Sequence, residues 1–138
     1  MSKYFLLALV SSSVFAAEPT PEEIETVSDK ATSYMRCHLM TAENTKRHAE
    51  LGELAYLSTK KAAALLMTTE KARKQLPPYI TEENLVGMIY SDKLNNSWKW
   101  YQGKLEEISG EEHWFKIPKD SRTQYQADLY KNYNCNMF

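Results

Sequence analysis

Two cysteines, Cys37 and Cys135, and three histidines, His38, His48 and His113, are the residues of this chain best suited to bind a metal or attack a carbonyl. Their spacing supports neither use. A redox or zinc thiol pair calls for Cys-x-x-Cys, and a helical zinc-protease site calls for His-Glu-x-x-His. Neither occurs, and no two histidines stand four residues apart. Cys37 and His38 are adjacent, so on a helix they point about 100° apart. A Ser/His/Asp or Cys/His enzyme needs a nucleophile beside an oriented base, and no Gly-x-Ser-x-Gly elbow presents one. The acid pairs Glu106-Glu107 and Glu111-Glu112 flank Gly110, where adjacent carboxylates are normally solvated rather than aimed at a cleft. Gly52, Gly87, Gly103 and Gly110 are scattered and cradle no phosphate. The sequence names no catalytic residue, no metal ligand and no cofactor, and a non-enzymatic role is expected.

Two kinds of chemistry remain: a disulfide and aromatic stacking. An even pair of cysteines in an oxidising compartment is read most simply as one bridge, Cys37 to Cys135. It would tie the first structural element to the tail and restrict nearly the whole domain. The loop-entropy relation assigns such a closure about 4–5 kcal/mol.

Most of the Trp, Tyr and Phe residues after position 17 lie from Tyr90 onward. Tyr90, Leu94, Trp98 and Tyr101 recur at helical spacing and are expected in the core. Trp100 falls off that stripe, and His113, Trp114 and Phe115 sit in an irregular connection. Exposed aromatics on a loop are common anchors of a binding surface. Trp100, His113, Trp114 and Phe115 are therefore the candidate contact residues, for a protein partner or for a sugar that stacks on them. Asp92, Asn95 and Asn96 could supply the polar groups of a pocket between the third and fourth helices.

The elements that must position these residues begin after an address. Met1-Ser2-Lys3 carries one positive charge, Tyr4 to Val10 is almost wholly apolar, and Val14-Phe15-Ala16 places small residues where signal peptidase reads them. Residues 1–16 read as a secretory signal cleaved after Ala16. The run is too short to span a bilayer. No cysteine follows it to take a lipid anchor, and no later segment reads as an integral membrane span. A periplasmic or secreted product is expected, with residues 17–138 as one domain.

Thr20-Pro21-Glu22-Glu23 is a helix start with a capping residue, a proline suited to the first turn and a glutamate to close the box. Ile24, Val27, Ala31 and His38 continue one face toward Ala42. Asn44-Thr45 either breaks or bends the chain. A second helix runs to Leu76, where Pro77-Pro78 stops it. Gly52 within it marks a kink or a close helix approach. Thr81-Glu82-Glu83-Asn84 opens a third helix toward Ile108, either repacked or interrupted near Asn95-Asn96. A fourth begins at Asp120 or Ser121 and runs through Tyr133, leaving an extended tail. The expected fold is all-α: a small four-helix domain, antiparallel or orthogonal, closed by one disulfide.

The net charge of −1 gives no footing for nucleic acid. The charge is unevenly spread, with a basic second helix between acidic neighbours. This suits helix pairing, or else a basic patch at Lys71, Arg73 and Lys74 that meets an acidic partner. In size, export signal and disulfide use the chain shares the format of small helical immunity proteins that guard bacteria against periplasm-active toxins, without carrying a motif of such a family. The expected role is binding of an envelope or secreted protein, as an inhibitor, immunity or assembly factor. The alternative is a small-molecule or glycan binder with an aromatic pocket between helices three and four.

Overall fold

Thr20 caps the first helix as the sequence indicates. In the computed structural model, which describes residues 17–138, the Glu23 N–H donates to Thr20 Oγ1 (3.2 Å) and the Thr20 N–H donates to Glu23 Oε2 (2.8 Å). This reciprocal box opens α1, Pro21–Leu39. The expected export signal, residues 1–16, lies outside the described residues. Helix α1 stops three residues short of Ala42, because Thr41 turns its hydroxyl back onto the Cys37 carbonyl (2.6 Å) and Asn44 adopts a left-handed φ of 62°. The break at Asn44-Thr45 is thus complete. Thr45 then accepts from the His48 N–H (3.1 Å) and caps α2, Lys46–Thr68.

The second helix does not run through to Leu76. Thr69 is extended, and its hydroxyl accepts from the Ala72 N–H (3.3 Å) to start the short α3, Glu70–Gln75. Among the described residues there are consequently five α-helices rather than four. Thr81 and Asn84 cap α4, Glu82–Ser109, which passes unbroken through Asn95-Asn96. Those polar residues are tolerated because the Asn96 amide donates to Asp92 (3.0 Å), one turn earlier on an exposed face. Gly110 ends α4 with φ 71°, a left-handed cap that favours glycine. A single 3₁₀ turn, Trp114–Lys116, precedes α5, Lys119–Asn132. The tail is a second 3₁₀ turn, Cys135–Met137, rather than the extended segment expected, because Asn134 reverses the chain at φ 53°. No strand occurs among the described residues.

Helices α1, α2 and α4 pack on one another. Glu18, just before α1, accepts from the backbone of Glu70, just after α2, while His38 near the end of α1 meets His48 near the start of α2. The two helices are therefore antiparallel. Helix α4 runs alongside α1 in the same direction: Lys93 Nζ donates to the Ser28 carbonyl (3.0 Å) and Thr32 Oγ1 (2.9 Å), and Trp100 meets Arg36 further on. Burial pushes the Lys93 ammonium below its ordinary pKa.

One core cluster joins Ala63 to Leu85 and Val86. The other gathers Cys37, Met40, Leu51, Tyr101, Leu105, Ile117, Leu129 and Cys135. Leu129 anchors α5 to this second cluster, and burying a leucine contributes about 2 kcal/mol. Cys37 and Cys135 form the expected disulfide, with Cα atoms 5.6 Å apart across 98 positions. Arg47 reinforces the closure: Nε donates to the Tyr130 hydroxyl (3.2 Å) and Nη2 to the carbonyls of Cys135 (2.9 Å) and Phe138 (2.7 Å). Among the described residues no helix is long and apolar enough to cross a membrane.

Candidate functional site

The connection between α4 and α5 is folded back by one contact. In the last turns of α4, Glu106 Oε1 accepts from the Trp114 backbone N–H (2.9 Å). Ile117 then buries completely in the core, leaving the 3₁₀ turn over the end of α4. This brings the Trp114 ring edge-on to Trp98 at 5.8 Å. Trp98 and Gln102 are one helical turn apart, and with its amide oxygen facing the indoles Gln102 accepts from both Trp98 Nε1 (2.7 Å) and Trp114 Nε1 (2.9 Å). Both indole donors are thereby satisfied, and the rings are held in one arrangement. The Arg122 guanidinium, in the first turn of α5, lies 5.6 Å from the centre of the Trp114 ring.

These residues wall a cleft of about 350 Å³ between α4, α5 and the α1–α2 connection. Tyr101 and Leu105 contribute from α4, Lys119, Thr123 and Gln126 from α5, and Leu39, Thr41, Glu43 and His48 from the α1–α2 side. Burial pushes the Tyr101 hydroxyl above its ordinary pKa, and the nearby Arg122 charge pulls partly the other way.

His48 stands on a second aromatic contact, its ring 3.8 Å from that of His38. His38 Nδ1 donates to the His48 carbonyl (2.9 Å), which fixes its tautomer. Burial holds the His38 imidazole below its ordinary pKa against the opposing effect of that hydrogen bond, and the neighbouring His48 adds to the lowering. Two polar atoms on residues lining the cleft, His48 Nδ1 and Arg122 Nε, are buried with no hydrogen-bond partner.

The four contact residues expected from the sequence are divided by this geometry. Trp114 lines the cleft. His113 and Phe115 form a stacked pair beside it, 5.2 Å between centroids and 14° between planes, with Phe115 62% exposed. Trp100 is elsewhere. It follows Trp98 by two residues, about 200° around α4. There it packs under the Arg36 guanidinium (4.5 Å) and against Tyr133 (4.9 Å). Asp92, Asn95 and Asn96 lie on an outer face of α4 and do not line the cleft. Lys71, Arg73 and Lys74 sit on α3, where Lys74 pairs with Glu70 (2.6 Å) and Arg73 donates to the Thr68 carbonyl (3.4 Å).

Sequence reasoning placed Trp98 in the core and passed over Gln102, Arg122 and the cleft-lining face of His48. Trp98 is 38% exposed and forms a cleft wall. The four-residue step from Trp98 to Gln102 was the signal available for that pair. Among the described residues no three His, Cys, Asp or Glu side chains converge to hold a metal ion. Compared with known protein families, with curated proteins and with solved structures, the chain matches none.

Proposed function

We propose that this chain is an exported, non-enzymatic binding protein that acts on another protein of the bacterial envelope, as an inhibitor, immunity or assembly factor. Its contact face is the His113–Phe115 turn together with the cleft beside it. The observation that carries this reading is Phe115. It is a large apolar ring left 62% exposed on a turn that is otherwise pinned by Glu106 and by the buried Ile117. A rigid, exposed aromatic beside a concave surface has little ordering entropy to lose on binding and is the usual form of an interface anchor. The signal-like residues 1–16 and the disulfide support an oxidising destination.

The test is affinity capture from envelope extract with two variants run beside the native chain. Phe115→Ala is expected to lose a protein that the native chain retains. Tyr79→Ala, which removes a ring 77% exposed at another place, is expected to keep it. Capture that is indifferent to Phe115 counts against this face.

A second reading, a small-molecule or glycan binder, is favoured by the cleft volume, which lies at the lower end of the range for ligand pockets. Its test is the emission of Trp98 and Trp114 during titration with cell-wall fragments, sugars and haem. A flat response across the set removes it.

A further inference from the structure

We infer that the cleft between α4 and α5 receives a carboxylate side chain, an aspartate or glutamate of the partner protein, with Arg122 as its counter-ion; this rests on the protein-binding reading above. Among the described residues Arg122 makes no ion pair, and its Nε is buried without a partner. A guanidinium carries five donors in a planar fork that matches a carboxylate edge to edge. The Trp114 ring lies against the guanidinium, its centre 5.6 Å from Arg122 Cζ.

The charge on the walls agrees. Lys119 and Arg122 both line the cleft from the first turn of α5, where the positive end of the helix dipole adds to their field. Glu43, an exposed residue, is the single carboxylate among the lining residues, so the cations outnumber it. His48, whose Nδ1 is buried without a partner, lines the cleft from the opposite side of the fold. Gln102 does not compete, because its amide oxygen is engaged by the two indoles. The exposed Phe115 at the side of the cleft would then meet an apolar residue next to the partner's acid.

The experiment needs no partner. N-acetyl-glutamate N-methylamide and the isosteric glutamine compound are titrated into the full domain. NMR follows the indole N–H signals of Trp98 and Trp114 and the Arg122 Nε–H. The glutamate probe should shift these signals saturably, with the glutamine probe at least about tenfold weaker. Arg122→Gln should abolish the preference, and Arg122→Lys, which keeps charge but loses the fork, should restore part of it. Equal response to the two probes, or a preference that survives Arg122→Gln, overturns the proposal. Phenylacetate binding about a hundredfold more tightly than the glutamate probe overturns the side-chain occupant in favour of a free small acid. Failure of this titration leaves Phe115-dependent capture standing, whereas failed capture with an intact glutamate preference removes the partner reading and leaves a carboxylate site.

Discussion

Replacing both cysteines, Cys37→Ala with Cys135→Ala, should cost this domain about 4–5 kcal/mol. The figure follows from the separation of 98 positions: the loop-entropy relation gives close to 16 cal/mol/K for a ring of that size, or about 4.7 kcal/mol at room temperature. Both side chains are almost completely buried, so the variant also loses packing in the cluster around Leu51, Leu105 and Leu129. Against this, the tail keeps its bonds to Arg47 and the edge contact of Phe138 with Tyr34 (5.0 Å), so the folded form still has a closed tail to compare with. Urea unfolding of the oxidised native domain and of the double variant, extrapolated to water, measures the difference. For a domain of this length each kcal/mol shifts Tm by about 3–5 °C, so the loss amounts to roughly 12–25 °C in a thermal scan. A double variant within 1 kcal/mol of the native domain would refute the view that this long ring is the main covalent support of the fold.

Three further outcomes follow from individual contacts. Gly52→Ala adds a methyl 3.1 Å from the His38 ring, which is held by the His48 carbonyl and by the adjoining His48 ring. The helix-propensity gain of about 1 kcal/mol should therefore be outweighed, and urea unfolding should show net destabilisation. Because burial lowers the His38 pKa in the folded state, the unfolded chain takes up the proton first. Stability should be fully present above the ordinary value of 6.5 and decline as pH falls below it, and His38→Asn should flatten that slope between pH 7.5 and 5.5 in chemical denaturation. Glu106→Ala removes the acceptor of the Trp114 N–H and should speed hydrogen exchange across residues 111–117 at a cost of about 1 kcal/mol in global stability; unchanged exchange there would mean that Ile117 alone fixes the turn.

The local signals in the sequence were reliable where a side chain acts on its own backbone. Thr20 with Glu23, Thr81 with Asn84 and the stop at Pro77-Pro78 are all legible as written. The split at Thr69 was not, since the apolar spacing continues past it and only the Thr69 hydroxyl bond to Ala72 starts a new helix. Asn95-Asn96 left two courses open, repacking or interruption: residues that favour turns stay helical when a long helix exposes them and Asp92 pairs with Asn96. The cysteine pair was legible from its even number and the expected export.

The candidate site was half legible. Phe115 and Trp114 stood out as aromatics in a connection. Trp100 looked similar but is covered by Arg36 from α1 and Tyr133 from the end of α5, contacts no local pattern contains. Arg122 meets Trp114 only because the chain between Gly110 and Pro118 folds back on Glu106. That contact is a property of the tertiary path.

The proposed recognition face at the α4–α5 connection is tested most directly by a photo-cross-linking amino acid placed at position 115 and, in a parallel strain, at position 79, followed by irradiation of intact cells. The account predicts a discrete covalent adduct with one envelope or secreted protein from position 115 and none of that product from position 79. No adduct from position 115, or the same adduct from both positions, would contradict it.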